Sequence, residues 1–242
     1  VARLRPVNDR RAAEDHALIP IRDENPSSRT PYVSRTLIGA CVLVYLWQLS
    51  LGGERGVWAI HVFGLIPALL TGQASLPPGV EVIPPTATVF SSMFLHGGFM
   101  HLAGNMLYLW IFGDNIEDSL GHFRFAVFYL LCGVGAALAQ ALPDPSSEIP
   151  MIGASGAISG VLGAYLLRFP NHRVVVAVPI GFILQMIRLP AVAVLGVWFL
   201  LQLVSSLALS AEGGGVAFRA HLGGFVAGMV LLPVFLGGRV RE

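Results

Sequence analysis

Lysine is absent from this chain. All fifteen basic residues are arginine, and charged residues make up only 12% of its 242 positions. A soluble domain carries about 25%, so this scarcity excludes an ordinary water-soluble globule. The net charge of +1 comes with no basic face and no aromatic-basic interleaving outside the N-terminal arm, which excludes nucleic acid as a partner. Cysteine is scarce too: Cys41 and Cys132 both lie within apolar runs, where a small buried thiol is expected, and neither gives a redox or disulfide signal. The first apolar run begins only after a polar arm of about thirty-five residues, so no secretory signal peptide is expected.

Hydrophobic residues make up 55% of the sequence, and the mean hydropathy is +0.71. Apolar runs recur from about Leu37 to Leu236 with few charges inside them, the pattern of a polytopic membrane protein. The expected fold is an all-α bundle of six transmembrane helices, at 36–51, 99–117, 122–141, 155–168, 190–209 and 217–236. Residues 1–35 form a polar arm, rich in charge and interrupted by Pro6, Pro20, Pro26 and Pro31. It is expected to be flexible or only locally ordered, with no catalytic part. Residues 36–236 form one helical domain, and 237–242 a short tail. The connection from Gly52 to about Gly98 holds apolar stretches too short and too broken for spans, and reads as an interfacial loop with partial helix.

The arginines set the orientation. With the N-terminus inside, thirteen fall on the inner side and only Arg55 and Arg219 outside, as the positive-inside rule requires. Both termini are then cytoplasmic, and spans two, four and six start at the outer face. The fourth span is too short: Ser155 to Arg168 covers roughly 21 Å at a rise of about 1.5 Å per residue, against a hydrocarbon core of about 30 Å. If Arg168 marks the inner boundary, Ser155 begins its helix roughly 10 Å below the outer surface, after the irregular segment 143–153. Non-helical backbone at that depth needs protein or a water-filled cavity around it, so the length alone predicts a wet pocket at Ser155.

Chemistry-bearing residues gather at those three outer starts. Ser155 opens a helix between glycines, where the macrodipole and free N–H groups favour an alkoxide or oxyanion. It is not an α/β-hydrolase elbow, because Ala157 stands where glycine would be needed. The candidate base is His221 at the start of span six. Small residues recur at four-residue spacing on both helices: Gly156, Gly160 and Ala164 on one, Ala220, Gly224 and Gly228 on the other. Packing these seams together brings Ser155 and His221 to the same depth. His101 and Asn105, spaced i, i+4 at the start of span two, share a helix face. With the Ser155 N–H they are candidate oxyanion donors. His96 reads as structural or water-organising, and Ser159 as packing. A zinc site is disfavoured, since His96 and His101 are five apart across Gly97-Gly98 with no carboxylate near. The same absence points to a Ser-His dyad without a triad's acid.

His101-x-x-x-Asn105, Gly153-Ala154-Ser155-Gly156 and Ala220-His221-x-x-Gly224-x-x-x-Gly228, in this order and on these spans, resemble the rhomboid family of intramembrane serine proteases. The resemblance covers all six spans. It implies Ser155 as nucleophile, His221 as base and then acid, and His101, Asn105 and Gly153 around the oxyanion and substrate. It also implies single-span membrane proteins as substrates and the loop 210–219 as a lid. Glu117-x-x-x-Gly121, after span two, resembles another family element with a structural part. Two features depart from the pattern: Ser159 stands where some members have an aromatic packing on the histidine, and the first-loop Trp-Arg pair is missing. No metal or organic cofactor is required. The expected partners are transmembrane proteins and the lipid bilayer, and the expected location is a bacterial inner membrane. A catalytically silent client binder and a small transporter are the competing readings, the latter without visible inverted repeats.

Overall fold

The structure is a computed structural model that describes residues 19–77, 79–80, 82–180, 183–209 and 217–237. It is mainly helical. The long helices are α1 (Tyr32–Leu51), α5 (Phe99–Leu120), α6 (His122–Ala141), α7 (Ser155–Arg168), α8 (Ala191–Leu209) and α9 (Phe218–Leu236). Between α1 and α5 lie α2 (Gly53–Phe63), α3 (Pro67–Leu70) and α4 (Thr88–Ser91), flanked by single 3₁₀ turns. The connection that reads as a loop with partial helix is folded as such. Among the described residues, α1, α6 and α9 are long and apolar enough to cross a membrane, and α8 contributes a shorter apolar stretch. Their outward apolar side chains, such as Leu43, Leu131, Leu200 and Val230, are exposed in the isolated chain, as expected where lipid is the solvent.

The bundle is organised around α7, whose residues from Gly156 to Tyr165 are all buried. It lies against α9 along the seam of small residues. A Cβ added at Gly224 or Gly228 would collide with the carbonyl oxygens of Gly156 and Gly160, and one at Gly163 with the carbonyl of Phe225. On its other side α9 meets α6, where a Cβ at Gly223 would run into Ala139. Backbone-to-backbone contact of this kind replaces the hydrophobic effect as the means of joining helices in lipid.

Two parts of the chain depart from the sequence reading. The fold is not purely helical: β1 (Ile19–Asp23), β2 (Arg173–Ile180) and β3 (Ile183–Pro190) form an antiparallel sheet in the order β1-β2-β3. Asp23 pairs with Val174 and Ile19 with Ala177, with an irregularity between Pro20 and Arg22, while Arg173 pairs with Pro190 and Ile180 with Ile183. The β2–β3 segment joins α7 to α8, at the end of α7 away from Ser155. The described part of the arm, from residue 19 on, is held down rather than loose, because its backbone completes this sheet. Its side chains also pair across the bundle. Ser28 donates from its N–H and hydroxyl to Asp118 at 2.8 and 2.9 Å, and Arg188 donates from Nε to Glu24 at 2.8 Å.

The arm feeds into α1 through Glu117. This side chain, 1% exposed, accepts hydrogen bonds at 2.8 Å from the N–H groups of Val33 and Ser34 and from the Ser34 hydroxyl. His122 Nδ1 meets Oε1, the oxygen that also takes the Val33 N–H, at 2.6 Å. A buried carboxylate at the N-terminus of α1 satisfies donors that no intrahelical carbonyl reaches, and the macrodipole favours it there. Glu117 belongs to the last turn of α5 rather than to the following loop, and Gly121, at φ 80°, ends that helix.

Candidate active site

Ser155 is the first residue of α7 and His221 lies in the first turn of α9. With the two helices locked along their glycine seam, Ser155 Oγ and His221 Nε2 are 2.8 Å apart, within hydrogen-bond reach for a hydroxyl and an imidazole nitrogen. His221 Nδ1 lies 2.8 Å from the amide oxygen of Gln202 on α8. The Trp198 ring, one turn earlier on α8, lies with its centroid 6.1 Å from that of His221.

His101 and Asn105 approach from α5. Asn105 is buried, and its Nδ2 has no hydrogen-bond partner among the described residues. A buried amide donor left unpaired is costly, on the order of 1–3 kcal/mol, unless something arrives to accept from it. His101 Nδ1 accepts from the Gly97 N–H at 3.4 Å, which leaves its ring proton on Nε2. That edge is turned to Gly153. Gly153 has φ +122°, and a Cβ there would stand 2.8 Å from both Cε1 and Nε2 of His101. The backbone conformation therefore favours glycine at 153, and its bare Cα leaves the imidazole its present place.

His96 is 2% exposed and stands apart from this group. Its N–H donates to Gln48 Oε1 at 3.0 Å and its carbonyl accepts from Gln48 Nε2 at 3.2 Å, a two-point clasp between α1 and the segment entering α5. Its ring lies 5.2 Å from that of His101. Ser159 donates to the Ser155 carbonyl at 2.6 Å and points back along its own helix. The loop 210–219 lies mostly outside the described residues.

His101, Asn105, Gly153, Ser155, Gln202 and His221 all line one cavity of about 1240 Å³, large enough for several residues of an extended peptide together with water. The arrangement offers a hydroxyl bonded to an imidazole, amide and imidazole donors beside it, and N–H groups of the first turn of α7, which have no intrahelical acceptor. These are the parts of a nucleophilic acyl-transfer site. Gln202 is the member the sequence reading missed. Its signal was present: it is a lone amide in the otherwise apolar stretch from Ala191 to Val204, and a polar side chain in such a helix is expected to have a partner.

A family model described as the Rhomboid domain matches residues 86–238, a stretch that includes all six of these residues. RHOMBOID-like protein 5 of Arabidopsis thaliana is 34% identical over 148 residues, covering 61% of this chain and 43% of that protein. Rhomboid protein 1, mitochondrial, of Saccharomyces cerevisiae is 30% identical over 159 residues, 62% of this chain and 42% of the relative. Rhomboid protease AarA of Providencia stuartii is 31% identical over 161 residues, 60% and 54% respectively. The chain thus spans about half the length of these curated relatives, or less. With a domain match over more than half of its length and apolar helices to carry it, the chain is an integral membrane protein and belongs to the rhomboid family.

Proposed function

We propose that this protein is an intramembrane serine endopeptidase that cleaves transmembrane segments of other membrane proteins through a dyad of Ser155 and His221. The observation that carries the reading is the 2.8 Å contact between Ser155 Oγ and His221 Nε2 at the wall of a large cavity. Two relatives whose names state a protease, AarA and Rhomboid protease GluP of Bacillus subtilis, the latter 41% identical over 78 residues, support it.

In the first step Ser155 Oγ attacks the peptide carbonyl carbon while its proton passes to His221 Nε2. The carbonyl oxygen takes up negative charge and accepts hydrogen bonds from Asn105 Nδ2, His101 Nε2 and the Ser155 N–H, with Gly153 keeping the approach open. Collapse breaks the C–N bond as His221 returns the proton to the leaving nitrogen, and water drawn from the cavity hydrolyses the acyl-enzyme by the same route. The donors act mainly on the charge that develops, so they contribute to kcat more than to substrate binding.

The reading carries a topology with it. Six spans cross the membrane, the 1–35 arm and the 237–242 tail are cytoplasmic, and Ser155 sits below the outer surface because α7 is short. A bacterial inner membrane is the proposed location. Purified wild type and Ser155→Ala are compared on a single-span reporter with small residues near its outer end, in liposomes. The expected outcome is product from wild type alone, and labelling of Ser155 by a fluorophosphonate. Equal product from both proteins would remove Ser155 from the mechanism, and absence of both product and label would favour a silent client binder.

A further inference from the structure

We propose that Gln202 is the positioning residue of the dyad, holding His221 in the tautomer and orientation that let Nε2 take the Ser155 proton; this rests on the protease reading above. The amide oxygen of Gln202 is an acceptor only. At 2.8 Å from His221 Nδ1 it requires the imidazole to carry its proton there, because a neutral ring has one N–H. Nε2 is then bare, and it is the atom facing Ser155 Oγ. With the opposite tautomer Nε2 would carry a proton already and accept none from the serine.

The aromatic frame around the ring belongs to the same device. Trp198 and Gln202 are spaced i, i+4 on α8, as are His221 and Phe225 on α9, so each pair occupies one helix face. Trp198 tilts 36° to His221 and stacks on Phe225 at 6.0 Å and 27°. The imidazole is thus held at Nδ1 by the amide and flanked by the indole. Its orienters come from α8, whereas the position one turn after the nucleophile on α7 is occupied by Ser159, which bonds to its own helix.

During attack the Oγ–H bond breaks, Oγ bonds to the carbonyl carbon, and Nε2 gains the proton while Nδ1–H remains on the Gln202 oxygen. As the C–N bond breaks, the Nε2 proton goes to the leaving nitrogen. Gln202 gains and loses nothing; it does by geometry what a triad's acid does by geometry and charge. Among the described residues, the other titratable groups that line the cavity are His101, Tyr108, Asp144 and, on the same helix as His221, Arg219. The outer half of α7 adds no acid or base, and α8 carries none.

The test uses the purified full chain with Gln202→Leu, which keeps the bulk, and Gln202→Glu, which keeps the acceptor. Steady-state cleavage of the reporter gives kcat and KM, and fluorophosphonate labelling reports Ser155 directly. For Gln202→Leu, kcat is expected to fall about tenfold, the worth of one neutral hydrogen bond, with KM little changed. Gln202→Glu is expected to restore kcat and to move the acid limb of the kcat/KM profile to higher pH. A carboxylate favours the imidazolium, so the neutral base appears only at higher pH. A packing role alone would leave Gln202→Leu, which keeps the bulk, at wild-type kcat. Wild-type kcat in Gln202→Leu, or an unmoved acid limb in Gln202→Glu, overturns the assignment while leaving the protease reading intact. Wild type that neither cleaves nor labels at Ser155 overturns both.

Discussion

Consider Gly224→Ala, a single methyl placed in the seam beneath the dyad. The new Cβ would collide with the Gly156 carbonyl oxygen and stand 2.9 Å from its carbon. Both are backbone atoms of a buried helix, and neither can rotate aside. Restoring ordinary contact requires the Gly156 carbonyl and the new methyl to move apart by more than about 1 Å, which α7 and α9 can do only by separating. Ser155 lies next to Gly156, so the separation is transmitted to the contact with His221, now 2.8 Å, and takes it beyond hydrogen-bond range. A misplacement of about 1 Å costs on the order of 100-fold in rate, and overpacking a filled interface costs about 1–3 kcal/mol. The comparison variant is Gly196→Ala on α8, where a Cβ meets nothing within 4 Å, so its activity should match wild type. Reporter cleavage in liposomes gives the activity, and thermal unfolding in detergent gives the stability. If Gly224→Ala cleaved within about twofold of Gly196→Ala, a difference of only about 0.4 kcal/mol, the claim that backbone contact sets the dyad distance would be wrong.

Asn105→Ala removes an unpaired donor facing the cavity; kcat is expected to fall by about 100-fold with a much smaller change in KM, and a comparable rise in KM would assign the amide to substrate binding instead. At the opposite end of α7, Asp23 accepts from the Tyr165 hydroxyl at 2.7 Å. Burial raises its carboxyl to about 6, the Tyr165 hydrogen bond opposes that rise, and the charge of Asp114 adds to it. The folded state therefore holds the proton more tightly than the free chain, whose value is 3.8, and arm docking weakens as pH rises from about 4 to about 6. Asp23→Asn mimics the protonated form. It should slow trypsin cleavage at Arg22 and Arg29 above pH 6 and lose that advantage near pH 4, and identical digestion of the two proteins at pH 7.5 would count against the ionised, half-buried carboxylate.

What the sequence showed, and what it hid, follows from the range of each interaction. The ends of α7 at Ser155 and Arg168, the partially helical connection after α1 and the approach of Ser155 to His221 are governed by spacing along one helix or between two matched seams, so patterns of three and four residues disclose them. The sheet eluded that reading. The Val174 to Val178 run had strand composition, but its partner β1 lies some 150 residues earlier in an arm dominated by charge and proline. Glu117-x-x-x-Gly121 is legible as a motif, yet the work of Glu117 at the start of α1, more than eighty positions away, has no local signature. Gln202 does not stand out in the sequence, because a single amide does not interrupt an apolar run. Only a partner on another helix distinguishes it from a tolerated polar residue.

The sheet also bears on how the protein can be handled. Val174, Val175, Val176 and Ala177 are buried in β2, and β1 covers the edge that β3 does not. Cutting the chain between Asp23 and Tyr32 would remove that cover and expose a row of unpaired backbone groups on a valine-rich strand, the form of edge that templates association between molecules. Arm residues that carry no catalytic group are, on this account, what keeps the opposite end of the bundle from adhering to its neighbours.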